Sequence, residues 1–485
     1  MSGGGTMQEV ARIDAPLSLR AGRLFIEECD TVELARRFGT PLYVHSEGQL
    51  RRNARRFRDA LAAAWGAGPV HVLPSIKANY SLALRHILTD EGMGCDTFGP
   101  GELYAAVHAG VEPSLISVNG SVKDAELVRR AIEIGAKITL DSARELDLVV
   151  RAAEELGRRS VVRFRVRPDY VKLERPTDFS EESVPIREAA RQYKPGIPTA
   201  DLVPLGRRAL ELECVDVAGV MAHLGRHHRD LDVWRGMISA FVATIEELSD
   251  AWDGWTPREI DVGGGFATRR DPTGRLLARL EDRVEAAPSI EDYAATAAGA
   301  LREELRARSL KVDGVTLEIE PGRSLYADTG IHLTTVRNVK REAAAIPWCW
   351  IETDTTEMFL LDSLIEHNRW APVVCDRADA PATQRADIVG KSCAFDVIVP
   401  QAAVPNVEIG DVIAILDTGA YEDAASANFN ALPRPATVLV HDASAEVIKR
   451  AETIEDVFHR DVVPDRLRER AATAALSRMG TSQEG

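Results

Sequence analysis

The sequence predicts an α/β plus β fold: a TIM-type (β/α)8 barrel joined to a second, all-β domain of sandwich or barrel-like form. Three observations predict it. Short β-rich runs alternate with helical stretches through the middle of the chain, this helical rhythm stops near Tyr326, and residues with chemical character gather where the runs end. With 485 residues and 45% apolar composition, the chain exceeds what one compact domain usually requires, so two domains are expected.

A polar arm opens the chain and is followed by RLFIEE and PLYVHS, two strand-like runs expected to pair with the all-β domain and so to attach residues 1–45 to it. Ser46-x-x-Gln49 reads as a capping box that opens the helix LRRNARRFRDALAAAW. Eight strand candidates follow, VHVLPSIK, GCDTF, LISVNG, KITLDS, VVRFRV, VAGVMAHLG, EIDVGGG and VTLEIEPGR, read as mostly continuous apolar runs buried on both faces. Such strand-and-helix units repeated over about 250 residues suit a closed barrel better than an open sheet. The barrel is placed at 46–325.

The charged, proline-broken stretch at about 168–205 is too polar for a core element and reads as a long loop or lid. Beyond it, IHLTTVRNVKRE, WCWIETDT, VIVPQAAV, DVIAILDT and ATVLVHD place the β domain at 326–445 and leave 446–485 as a helical or flexible tail.

The formal net charge of −16 gives no electrostatic footprint for nucleic acid or an anionic membrane surface, which favours a small-molecule partner. No window approaches the roughly 18 consecutive apolar residues of a membrane span, and the opening MSGGGTMQEVARIDAPLSLR lacks the layout of a signal peptide. A cytoplasmic location is expected. The six cysteines are scattered without a CxxC pair, so neither a disulfide framework nor a metal site is expected, and at least five read as buried thiols.

Active sites of such barrels lie at the C-terminal ends of the strands. Lys77 ends the first run, Asp96 lies on the second, Asn119 ends the third, Arg165 lies on the fifth and His223 ends the sixth; Gly263, Gly264 and Gly265 end the seventh, and Glu320-Pro321-Gly322-Arg323 the eighth. Singly, each has an ordinary reading: a solvated lysine, a tight turn, a satisfied histidine, a surface arginine. Together, glycines that admit backbone N–H groups to an anion, an arginine fork, a lysine and a carboxylate in one mouth point to pyridoxal phosphate. For Lys77 to add to an aldehyde it must be neutral part of the time, which burial and nearby cations favour.

Seven motifs in order, SIKAN, GCDTFGPGEL, HLGRH, DVGGGF, EPGR, KSCAFD and GAYEDAASANFN, make the chain resemble the fold-type III pyridoxal-phosphate decarboxylases from about Leu42 to Leu439. That group contains the diaminopimelate, ornithine, lysine and arginine decarboxylases and shares the fold of alanine racemase. The resemblance implies that Lys77 forms the Schiff base, Glu320 pairs with the pyridinium nitrogen, His223 stacks on the ring, and Gly264, Gly265, Arg323 and Tyr421 hold the phosphate. Asp96 and Arg165 fall where the family supports the lysine and the cofactor face. It further implies a homodimer with shared active sites, in which Cys393 reaches the partner's site and returns a proton after loss of carbon dioxide. For Tyr421 the reading as a core aromatic stays open.

Where diaminopimelate decarboxylases carry an arginine and a tyrosine for the distal carboxylate, this chain has Asp362 and, near the tyrosine position, Glu366. A carboxylate repels a carboxylate, so the expected substrate is a basic diamino acid, lysine or ornithine, of either hand, with Asp362, Glu366 and Arg323 in contact with it. Solvated helix charges are the equal alternative for Asp362 and Glu366. Against the diamino acid stands Ala394, where both groups of enzymes carry an acid. Arg226 replaces a small hydroxyl residue that touches phosphate and either adds a contact or turns outward. Diaminopimelate decarboxylation, racemisation, and an inactive regulator of the same fold, like the antizyme-inhibitor proteins, are the competing readings.

Overall fold

A computed structural model of the chain describes residues 13–170, 194–268, 287–343, 347–362 and 370–468. Eight parallel strands form the barrel: β1 (Val70–Val72), β2 (Cys95–Thr97), β3 (Ile116–Val118), β4 (Lys137–Leu140), β5 (Ser160–Arg165), β6 (Val215–Met221), β7 (Glu259–Asp261) and β8 (Thr316–Ile319). Each pairs with its neighbour in sequence, and β8 returns to β1. The remaining seam between β1 and β2 is closed where Gly94 N–H donates to the Val72 carbonyl (3.0 Å) and Asp96 N–H to the Pro74 carbonyl (3.2 Å). The predicted barrel, with all eight of its strands, is present.

Local chemistry sets the helix ends. Asp124 and Ser142 cap the helices after β3 and β4, and Gly135 and Gly157 end them in the left-handed region that L side chains rarely adopt. Only a short helical segment, the turn Arg323–Tyr326 running into a 3-10 turn at Ala327–Thr329, follows β8 among the described residues. Glu47–Trp65, from before β1, fills the vacant flank by packing between Ile290–Ala307 and Leu82–Asp90. Half of the expected capping box is seen there: the Ser46 hydroxyl accepts from Gln49 N–H (2.9 Å), but the Gln49 amide donates to Asn53 (3.0 Å).

The β domain is organised by one long strand, Gly330–Glu342, which pairs with Leu42–Ser46 and Val412–Leu416 in its first half and Trp348–Thr353 in its second. PLYVHS therefore joins this domain as expected. RLFIEE joins it by packing rather than by pairing: it lies in a separate three-stranded sheet with Leu17–Arg20 and Cys29–Asp30, its Leu24 and Ile26 are buried in the domain's core, and Leu24 N–H donates to the Cys375 carbonyl (2.8 Å). An unforeseen helix, Thr31–Phe38, capped by Asp30, separates the two runs.

Three further expectations are corrected. Ser444–Lys449 is a strand paired with Ala436–His441, so the sheet extends past the point where a tail was expected; within the tail only Ile454–Phe458 and the turn near Asp465 are helical among the described residues. The stretch after Pro168 re-enters a helix at Thr199–Leu210, and its residues 171–193 lie outside the described residues. Four cysteines are buried rather than five, with Cys214 half-buried and Cys393 exposed. Among the described residues no helix is long and apolar enough to cross a membrane.

Lys123 shows how this barrel carries buried charge. Its ammonium donates to the Gly120 and Thr139 carbonyls (2.7 Å each) and to Glu145 (2.9 Å), which satisfies all three donors. Glu145 in turn accepts from the Lys123 and Asp141 backbone N–H groups. Lys123→Met strands a buried carboxylate, and a loss of about 3–5 kcal/mol in urea unfolding is expected; a loss below about 1 kcal/mol would show that Glu145 finds water or another donor.

Candidate active site

The barrel strands are not continuous apolar runs. On β5, Val162 and Phe164 belong to the core outside the barrel, whereas Arg163 and Arg165 alternate with them. The partners of the alternating polar residues show which way they point. Arg163 on β5 binds Glu318 on β8, Lys137 on β4 binds the same Glu318 (2.8 Å), and Asn119 after β3 donates to Glu320 after β8 (2.7 Å). These strands are not neighbours in the sheet, so the contacts cross the lumen. Barrel interiors are usually filled by branched apolar residues, whereas this one holds an ion cluster beneath its mouth.

Lys77 stands at the rim in the 3-10 turn Ile76–Ala78, beyond β1 rather than at its end. Its ammonium lies 3.7 Å from Asp96, with the lysine side chain 46% exposed and the aspartate 4%. Asp96 is oriented by Ser75 Oγ (2.6 Å) and by Asn119 Nδ2 (2.5 Å), the same amide that reaches Glu320. A reachable amine thus sits above a fixed, buried acid.

The turns after β6, β7 and β8 meet through glycines. A Cβ at Gly264 would fall 2.2 Å from the Glu320 carbonyl oxygen and one at Gly265 2.1 Å from that of Gly225, and Gly265 also needs its φ of +89°. The result is a concavity lined by backbone. His223 lies against it: a Cβ on Gly263 would be 2.9 Å from the His223 Cα. Arg226, on the same turn as Gly225, is half-buried.

The β domain supplies the remaining wall. Tyr421 N–H donates to the Ala78 carbonyl (2.7 Å) and Asn79 Nδ2 to the Gly419 carbonyl (3.1 Å), which ties GAYE to the lysine turn. The Arg323 guanidinium lies 4.8 Å from the Tyr421 ring centroid and is ion-paired with the buried Asp362. Glu422, also buried, accepts from Asp362 N–H (3.3 Å) through one oxygen while the other has no hydrogen-bond partner among the described residues.

Lys77, Asp96, Arg165, His223, Gly264, Gly265, Glu320, Arg323, Tyr421 and Asp362 are therefore gathered at one end of the barrel. Cys393 is not: it lies on an exposed loop, hydrogen-bonded to Asn430 through its backbone N–H (2.9 Å) and its sulfur (3.2 Å). Glu366 lies outside the described residues. Sequence reading missed Arg163, Lys137, Glu318, Asp261, Glu102 and Glu422; the signal for the first three was period-two charge in VVRFRV, KITLDS and VTLEIE.

Electrostatics distinguishes these groups. Burial, with Lys77 and Arg165 nearby, holds the His223 imidazole well below its ordinary pKa, so it is neutral. Burial and the neighbouring Asp261 and Asp96 carboxylates push Glu320 well above the usual carboxylate range, against Arg163 and Lys77. Burial and Asp96 raise Glu102 to about 7.

Pyridoxal phosphate fits this mouth. The glycine turns offer backbone to a phosphate, the Nδ1 of His223 is buried without a hydrogen-bond partner among the described residues, and the accessible amine and the buried acid are the groups such a cofactor requires. Fold and site together define a barrel enzyme of amino-acid chemistry that works through a pyridoxal cofactor. The match of residues 47–327 to the pyridoxal-binding domain of the pyridoxal-dependent decarboxylases is specific, and the chain belongs to that family of carboxy-lyases.

Among its relatives, the diaminopimelate decarboxylase of Zymomonas mobilis is 29% identical over 91% of this chain and 97% of that protein. The diaminopimelate decarboxylase of Methanothermobacter thermautotrophicus is 30% identical over 93% and 98%. The crystal structure of the M. jannaschii diaminopimelate decarboxylase with L-lysine superposes with a TM-score of 0.81 at 28% identity, covering 93% of this chain and 98% of that one. For the Vibrio vulnificus lysine/ornithine decarboxylase with putrescine the TM-score is 0.66 at 18% identity, over 85% and 98% of the two chains, a likeness of fold.

Two outcomes are expected. Gly264→Ala forces the β7 and β8 turns apart and should weaken pyridoxal phosphate binding at least about tenfold, about 1.4 kcal/mol, in titrations of the apo-protein; unchanged binding would remove Gly264 from the phosphate site. Glu102 has a folded pKa above its unfolded one, so its contribution to stability is present below about 4.5 and is lost as pH rises through about 7. Glu102→Gln should accordingly flatten the fall in unfolding midpoint between those limits, and a parallel pH profile would count against it.

Proposed function

We propose that this chain removes one α-carboxylate from meso-diaminopimelate, with Lys77 holding the cofactor's aldehyde, Glu320 facing its ring nitrogen, His223 lying against the ring, and Gly264, Gly265, Arg323 and Tyr421 around the phosphate. The observation that carries the choice of substrate is the similarity to diaminopimelate decarboxylases over more than nine-tenths of the chain, at 29–30% identity. The site is compatible with it. The distal end of diaminopimelate carries both an ammonium and a carboxylate, and Arg323 beside Asp362 and Glu422 offers a cation and two acids. Arg323 beside Asp362 supports this reading by supplying a positive charge where Asp362 alone would offer only a negative one.

When bound, pyridoxal phosphate accepts the electron pair released as the bond from Cα to the carboxylate breaks. The protein's part is to keep that electron acceptor aligned and to return a proton. Asp96, fixed by Ser75 and Asn119, orients the Lys77 amine. A neutral His223 adds no charge to the ring face. We further propose that the partner subunit's Cys393 delivers the proton to Cα, since Cys393 is exposed and its hydrogen-bond partner, Asn430, is remote in sequence from the barrel.

Lysine or ornithine is the second reading. It is favoured by the excess of acid around Arg323 and by the unpartnered Glu422 oxygen. Carbon dioxide release from cofactor-loaded protein separates the two. We expect kcat/KM for meso-diaminopimelate to exceed that for either enantiomer of lysine or ornithine by at least about 100-fold, because a site built for a polar group rejects the analogue lacking it. Lys77→Ala should release none. Preference for a monocarboxylic diamino acid would reverse the assignment. Mixing Lys77→Ala with Cys393→Ala should restore up to about a quarter of the activity if sites are shared across a two-fold dimer; no restoration would place both groups in one chain or leave the sites unshared.

A further inference from the structure

The ion cluster under the mouth is unusual in both composition and position. Arg163 is its hub. The side chain is fully buried; Nε donates to Thr139 Oγ1 (2.7 Å) and Nη2 to Ser117 Oγ (2.6 Å), which fixes the plane of the guanidinium. That plane meets three acids: Glu318 through Nη1, and Asp261 (2.7 Å) and Glu320 (3.4 Å) through Nη2.

The lower acid has further donors besides Arg163. Glu318 Oε1 receives Lys137 (2.8 Å) and His71 Nδ1 (2.9 Å), and Lys137 also binds Glu259. Asp261 Oδ1 takes Gly263 N–H (2.8 Å). Above, Glu320 Oε1 takes the Asn119 amide, a neutral donor shared with Asp96. Much of Arg163's charge is thus left to offset Glu320 and Asp261 from below. A buried ion cluster seldom improves stability over well-packed apolar residues, so its position directly beneath Glu320 calls for another account.

We propose that Arg163 is a positioning residue that aims Glu320 at the ring nitrogen of the bound cofactor and opposes the protonation that its burial among acids favours. The proposal rests on the assignment of Glu320 to that nitrogen. A residue that only fills the lumen would affect any ligand of the mouth alike; one that acts through Glu320 affects only a ligand whose ring carries a basic nitrogen.

The test titrates apo-protein with pyridoxal phosphate and with its carbocyclic analogue, in which carbon replaces the ring nitrogen, and compares the two dissociation constants. Wild type should favour the natural cofactor. Arg163→Met should cut that preference at least tenfold, about 1.4 kcal/mol, mostly by weakening the natural cofactor, and Arg163→Lys should largely retain it. Arg163→Met with Glu318→Leu removes one cation and one acid together; should the single variant unfold, this one decides, and the same loss of preference is expected. A preference within twofold of wild type, or equal weakening of both ligands, overturns the proposal. Glu320→Gln locates the failure: if it abolishes the preference while Arg163→Met does not, only the inference about Arg163 falls, and if it too keeps the preference, the assignment of Glu320 falls as well.

Discussion

Everything at the mouth of this barrel rests on one buried guanidinium. Arg163 joins β5 to β7 and β8 across the lumen, and its three carboxylate partners come from β7, β8 and the turn after β8, which backbone hydrogen bonds alone do not bring into contact with β5. Taking several charges out of water is costly, and only dense mutual satisfaction makes it tolerable. The network is dense: Arg163 has Thr139 and Ser117 as well as its acids, and Lys137 has Glu318 and Glu259. Removing one member leaves a charge with nowhere to go, so the cluster holds the strand ends in register.

The same residues connect stability to chemistry through Asn119. Its amide touches Asp96 and Glu320 at once, linking the acid that orients Lys77 to the acid at the centre of the mouth. On the far side, the Glu320-Pro321-Gly322-Arg323 turn runs from this centre to the outer wall. Gly322 lets the Tyr421 hydroxyl approach to within 2.9 Å of where a Cβ would stand. One short turn therefore fixes the distance between the acid at the centre and the guanidinium at the rim.

The barrel was legible because each strand run and each helical stretch carries its own local signals, and the rim residues were legible because strand ends are where barrel chemistry gathers. The lumen was not. VVRFRV and VTLEIE look like apolar strands with two charges each, and only the closure of the sheet brings Arg163 opposite Glu318. The pairing of RLFIEE was missed for a related reason: a strand of four residues, Arg23–Ile26, carries no information about which edge it joins, and a tight turn at Ala21 and Gly22 folds it back onto Leu17–Arg20. Ser444–Lys449 was lost among the charges of the tail because an outer strand tolerates polar residues on its exposed face.

Asp362 is the residue whose meaning changed most between sequence and structure. In the sequence it stands where an arginine would grip a carboxylate, which argues for a substrate without one. In the structure it does not stand alone: it is ion-paired with Arg323 and shares a hydrogen bond with Glu422. A cation held between acids presents both signs within one short span, and such a span can meet an amino-acid end whose own two charges lie on one carbon. The sign of a pocket is thus a property of the pair: Asp362 does not face the mouth as a lone acid, because the Arg323 guanidinium beside it offsets its charge.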